Sequence, residues 1–182
     1  MNKKILLFFA GYIFVENKLM LSTRHECFGN DIKIAHISDV HKRRFGKDNS
    51  RICRLIRREN PDIIFITGDL VSRREKNFSA IEKMLENLVK IAPVYMICGN
   101  HERKLSPEMK KKFAELIKRT GVKMLFNKSV EIEINNRKLH IYGLAENMKV
   151  YKNNILLVSK NLSVSTTIPL FLNIIGVVSE KK

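Results

Sequence analysis

Three short apolar runs each stop at residues able to hold a metal ion, and this repeated arrangement constrains the chain more than any other feature. "IKIAHIS" runs from Ile32 to Ser38 and stops at Asp39-Val40-His41. "DIIFIT", from Asp62 to Thr67, stops at Gly68-Asp69. "PVYMIC", from Pro93 to Cys98, stops at Gly99-Asn100-His101-Glu102. Continuous β-branched and apolar runs of this length, bounded by turn residues, read as buried strands.

Segments of helical period separate them. "NSRICRLIRREN" sets Ile52, Leu55 and Ile56 on one face and arginines on the other, and Pro61 stops it. Ser79-x-x-Glu82 has the form of a capping box opening a helix whose apolar stripe is Ile81, Met84, Leu85 and Leu88. Ser106-Pro107 starts a third helix with Pro at its first position, an apolar face of Met109, Phe113, Leu116 and Ile117, and Gly121 as terminator. Strands alternating with helices predict βαβ units around a mostly parallel sheet. After Gly121 the pattern changes: "VEIEI", the pair Asn135-Asn136 and "KLHIYGL" predict an antiparallel hairpin. The tail from Ile155 is apolar and Ser/Thr-rich without a clear helical period. There is no internal repeat and no interdomain linker.

With 182 residues, 45% of them hydrophobic, the chain is the size of one ordinary domain or of part of a larger one, and its composition argues against a disordered polypeptide. Lys and Arg number 34 against 18 acidic residues, a formal charge of +16 that favours anionic partners. Cys27, Cys53 and Cys98 are scattered and form no zinc-type spacing, which argues against a disulfide framework; Cys53 and Cys98 read as small buried hydrophobes. Lys3 and Lys4 precede the apolar run Ile5 to Val15, so residues 1–20 read as a signal anchor or other membrane-directing segment. The run is shorter than the roughly 20 residues of a spanning helix, and a buried or frayed N-terminal helix is the alternative.

Ligand sites of α/β sheets lie beyond the carboxyl ends of the strands, where all three polar clusters fall. Aspartate supplies hard oxygen ligands, histidine borderline nitrogen, and asparagine a neutral amide oxygen, a set suited to a divalent cation. Each cluster alone is common in loops. Three in order, about 30 residues apart and each after an apolar strand, are not expected by accident.

The blocks "SDVH", "TGDL" and "CGNHE" resemble the first three of the calcineurin-like metallophosphoesterases, which run D-x-H, G-D and G-N-H-[DE]. The resemblance extends from about Glu16 to Tyr142: "ENKLMLSTRHE" resembles the segment before the first strand in membrane-directed bacterial members, and "LHIYGL" their hairpin strand. It implies a layered α/β/β/α sandwich over residues 21–154 and hydrolysis of phosphoester bonds at two divalent ions, Mn, Fe or Zn. It further implies that Asp39 and His41 ligate the first ion, that Asp69 bridges both, and that Asn100 ligates the second. His101 then acts as the catalytic group, contacting the phosphate with Asn100 beside it, and Glu102 supports the ligands from behind. A cation pair of this kind neutralises a phosphoryl group and acidifies water.

The family pattern continues with a histidine after the hairpin and a G-H-x-H block. The five histidines here are at 25, 36, 41, 101 and 140, and no Gly-His pair occurs. The second ion is therefore expected to be weakly held and turnover impaired, with the chain resembling a C-terminally truncated member whose residues 155–182 diverge. An incomplete second sheet, with an open apolar face or edge, follows from the same expectation. His36 and His140 read as structural histidines, His36 because strand alternation turns it away from Asp39, and His25 as a surface residue. The expected substrate is a phosphorylated small molecule or lipid-linked compound bearing a phosphomonoester, phosphodiester or pyrophosphate. An anionic membrane surface is a candidate partner, with a cytoplasmic location as the alternative to a membrane-associated one. Nucleic acid is disfavoured, since no interleaved aromatics or recognition helix are present. A catalytically inactive metal- or anion-binding module is the alternative function.

Overall fold

The architecture follows from how four short parallel strands divide their side chains between two faces. The computed structural model describes residues 32–135, 137–143 and 175–179. Strands β1 (Ile34–Ile37), β2 (Ile63–Ile66), β3 (Val94–Met96) and β4 (Lys123–Met124) form one sheet in the order β1-β2-β3-β4, every pair parallel. Successive side chains of a strand point to opposite faces. Ala35, Ile37, Ile64, Ile66, Val94 and Met96 accordingly join the helix-side core, whereas Ile63, Phe65 and Tyr95 join a second cluster with Ile97, Leu125 and Ile141.

The helices cover the first face. Helix α1 (Ser50–Glu59) buries Ile52, Cys53 and Ile56, and ends at Asn60 in the left-handed region, one residue before Pro61. Leu55, expected on the core face, instead lies half-buried among Arg51, Arg54 and Arg58, and Cys53 takes its place in the core. Helix α2 (Ser79–Leu88) buries the whole expected stripe of Ile81, Met84, Leu85 and Leu88. Its expected capping box does not form: the Ser79 amide donates to Asn77 Oδ1 at 2.8 Å, and Glu82 pairs with Arg119. A short helix α3 (Asn100–Arg103) follows β3. Helix α4 (Pro107–Thr120) is capped by Ser106, whose Oγ accepts the Met109 amide, and ends at Gly121 with φ 81°, a left-handed position suited to glycine.

A second, antiparallel sheet packs on the other face. Strands β5 (Lys128–Ile134) and β6 (Arg137–Gly143) form the expected hairpin, with Asn135 left-handed at the turn. Strand β7 (Ile175–Ser179), within a tail that showed no regular period, pairs with β6 and covers that edge. Val130, Ile132 and Ile134 pack against the Phe65–Tyr95 cluster. The described residues thus build helices on a parallel sheet on an antiparallel sheet, three of the expected α/β/β/α layers. Residues 1–20 lie outside the described residues, as does most of the tail. No described helix is long and apolar enough to cross a membrane.

Candidate metal centre

The strand ends meet because glycines let the backbones touch. A Cβ on Gly68, itself at φ 97°, would run into the backbone of Gly99, and a Cβ on Gly99 would strike the carboxylate and amide of Asp69. Only residues without side chains allow this approach, which gives the Gly-Asp and Gly-Asn-His blocks their physical basis.

Three site residues sit in the left-handed region: Asp39 (φ 56°), His41 (φ 49°) and Asp69 (φ 55°). Such conformations cost a non-glycine residue about 1–3 kcal/mol and persist only where the surroundings fix them. Here the loops fix one another. The Asp39 amide donates to Gly68 O at 3.4 Å and the His41 amide to Asp69 O at 3.0 Å. Glu102, only 3% exposed, accepts the amides of Asp69 (2.8 Å) and Gly99 (2.8 Å) on Oε2 and that of Val71 (3.1 Å) on Oε1. One buried carboxylate therefore ties the loop after β2 to the loop after β3. Hydrogen bonds of charged acceptors are the stronger kind.

Around this bracket, His41, Asp69 and His101 bring one ligand atom each to within 4.8 Å of one another. The His41 and His101 ring centroids are 4.4 Å apart. Asp69 is buried, its Oδ1 accepting the His101 amide at 2.9 Å, and Asn100 Nδ2 lies 3.4 Å from its Oδ2. Asp39 stands at the rim: its side chain is 66% exposed, with Oδ1 3.4 Å from His41 Nε2 and Oδ2 accepting the Ser38 hydroxyl. All five sequence-predicted residues are thus adjacent, but the tightest group contains His101 and leaves Asp39 and Asn100 at its edge.

The donor set fits a divalent cation. Histidine nitrogen and carboxylate oxygen suit borderline metals, and His41 Nδ1 is buried without a hydrogen-bond partner among the described residues. An orphaned ring nitrogen is costly unless it has a ligand to bind. His101 differs, because its Nδ1 accepts the Arg73 amide at 3.1 Å. That bond puts the proton of the neutral ring on Nε2, so this edge of His101 is a hydrogen-bond donor. The Arg73 amide went unread in the sequence, because a backbone donor leaves no mark in residue identity. Cys98, one residue before Gly99, is held as a thiol: burial first, then the Glu102 charge, pushes its pKa to about 11 against a smaller opposing pull from Arg103.

The other histidines lie elsewhere. His36 turns away from Asp39, as alternation requires, and its Nε2 is 2.7 Å from Thr67 Oγ1. His140 Nδ1 lies 3.7 Å from Glu131 in the second sheet. His25 is outside the described residues.

Residues 32–174 match the family model described as calcineurin-like phosphoesterase. Among curated proteins, the chain is 32% identical over 117 residues to phosphodiesterase YaeI of Escherichia coli, covering 63% of this chain and 43% of that protein. It is 28% identical over 116 residues to the uncharacterized metallophosphoesterase YkoQ of Bacillus subtilis, covering 62% and 43% respectively. An uncharacterized metallophosphoesterase of Aquifex aeolicus is 28% identical over 123 residues, 66% of this chain and 46% of that protein. The chain thus spans less than half the length of these relatives.

Proposed function

Because this chain belongs to the calcineurin-like phosphoesterase family, we propose that it hydrolyses phosphoester bonds at a divalent-metal site centred on His41 and Asp69. The observation that carries this reading is the convergence of His41, Asp69 and His101, together with a buried His41 ring nitrogen that has no hydrogen-bond partner among the described residues. Asp39 and His41 are assigned to a first cation, Asp69 to a bridging position and Asn100 to a second, with Mn, Fe or Zn as the candidate metals. Bound there, the metal supplies positive charge against the phosphoryl oxygens and acidifies water.

The protein's own groups do the rest. His101 presents Nε2–H to a phosphoryl or leaving-group oxygen, held in that tautomer by the Arg73 amide. Glu102 keeps the two loops in register, so Asp69 meets its ligand without rearranging. Among the described residues only Asp69 and Asn100 are assigned to the second cation, against Asp39, His41 and Asp69 for the first, so the second is the more weakly held. The relative named a phosphodiesterase favours a diester substrate, small or lipid-linked, over a monoester or pyrophosphate. The apolar run Ile5 to Val15 supports association with a membrane, with a cytoplasmic location as the alternative. The charge of +16 favours a second reading, a metal- or anion-binding module without turnover.

Metal content and Mn-stimulated hydrolysis of an aryl phosphodiester, in wild type beside Asp69→Asn, decide between them. The enzymatic reading expects metal and activity in wild type and neither in Asp69→Asn. Metal without hydrolysis in wild type selects the binding module, and equal activity in both proteins removes the metal mechanism. His101→Gln is expected to keep its metal and lose hydrolysis; loss of metal there would make His101 a ligand.

A further inference from the structure

The chain leaves the candidate metal centre through a basic stretch that leads into α1. Lys42, Arg43 and Arg44 follow His41, and Asp48, the single acidic residue between His41 and Arg58, is engaged by Lys83 at 3.3 Å. Along α1, Arg51, Arg54, Leu55 and Arg58 line a groove of about 160 Å³. The three arginines are exposed and Leu55 is half-buried. None of the three pairs with a carboxylate among the described residues. Arg51 is anchored at the near end: its amide donates to Phe45 O at 3.0 Å, and its stem crosses Gly46, where a Cβ would lie 3.1 Å from Arg51 Cγ. The arginine row spans roughly 10 Å of helix, at 1.5 Å per residue.

We propose that this groove docks the protein onto an anionic phospholipid membrane, the arginines binding headgroup phosphates and Leu55 meeting the apolar boundary beneath them. Guanidinium forks match phosphate oxygens bidentately, which lysines on a plain solvated face do not. The opposite face of α1 is sealed in the core by Ile52, Cys53 and Ile56, so the helix lies along the surface it binds, as interfacial helices do. A nucleic-acid groove would offer aromatic platforms for bases, whereas the apolar group here is a leucine. The formal charge of +16 and the apolar run Ile5 to Val15 direct the same chain towards such a surface.

The test is vesicle co-sedimentation of the full chain without added metal, so its outcome is separate from hydrolysis. Vesicles of phosphatidylcholine alone set the background due to the N-terminal run, and vesicles containing phosphatidylglycerol report the groove. Each arginine near an anionic surface is worth roughly fivefold in partitioning, so Arg51→Gln/Arg54→Gln/Arg58→Gln lowers anionic-vesicle binding on the order of a hundredfold. Neutral-vesicle binding stays unchanged, and wild-type binding weakens as salt rises. Lys110→Gln/Lys111→Gln/Lys118→Gln, on the exposed face of α4, removes the same charge and retains wild-type binding. The proposal fails if the arginine variant binds like wild type or the lysine variant loses as much. It also fails if inorganic phosphate or duplex DNA fills the groove while anionic vesicles are left unbound.

Discussion

Asp39 and Asp69 follow adjacent parallel strands and share the left-handed backbone, yet one carboxylate stands in solvent and the other is buried. Asp69 has its amide on Glu102, its Oδ1 on the His101 amide and Gly99 against its side chain. Asp39 has a long amide bond of 3.4 Å to Gly68 O, the neighbouring Ser38 hydroxyl, and His41. The half of the centre built on β2 and β3 is therefore held by a buried carboxylate, whereas the β1 half is held by the backbone amides of Asp39 and His41 and leaves the Asp39 carboxylate in solvent. Disturbing the two halves should therefore have different consequences.

Glu102→Gln tests the half held by the buried carboxylate and carries the largest expected effect of this comparison. Both Oε2 bonds and the Oε1 bond come from backbone amides. A side-chain NH₂ in either position faces donors with a donor, so at least one buried amide loses its acceptor. Metal affinity by calorimetry is expected to fall about 10–100-fold. Stability in a denaturant melt is expected to fall by about 1–3 kcal/mol. Unchanged metal affinity in a folded Glu102→Gln protein would dissolve the distinction between the halves. Asp39→Asn tests the other half. Its stability should stay within about 0.5 kcal/mol of wild type, as for exposed positions generally, and its metal affinity should fall less than that of Glu102→Gln. A larger loss in Asp39→Asn would mean that the rim aspartate, and not the bracketed one, dominates the site.

How far the sequence disclosed this site depended on whether a residue's role is written in its own type. The strands were legible because buried parallel strands are continuous apolar runs, and the glycines because only they permit backbone contact at 68 and 99. The α2 and α4 stripes were legible from period. Leu55 was misplaced because its arginine neighbours at i−1, i+2 and i+3 do not reveal which side of the helix meets the sheet. The capping box at Ser79 lost to two competitors the motif cannot see, Asn77 for the amide and Arg119 for Glu82. Strands β4 and β7 were missed because two and five residues without strong alternation give little periodic signal. His101's tautomer depends on a backbone amide from a loop 28 positions away. Such information arises only once the chain has folded.

The smallest expected effect concerns the far side of β1, where His36 donates to or accepts from Thr67 directly before Gly68-Asp69. Partial loss of water around the ring, which still leaves His36 with an exposed surface, lowers its pKa below the ordinary 6.5, with Asp39 opposing by a smaller amount. The neutral ring is therefore favoured in the folded state, while the unfolded chain protonates first as pH falls. The contribution is fully present above pH 6.5 and is lost as pH drops towards the folded pKa. Melting temperatures from pH 7.5 down to 5.5 should show this decline in wild type and less of it in His36→Gln, whose amide can still bond Thr67. Since His36 lies on the β1 strand and Thr67 on the approach to Asp69, this bond joins the β1 half to the other. Parallel declines in the two proteins would show that the link carries no stability, leaving the Asp39 and His41 amides as the contacts that hold β1's loop to its neighbour.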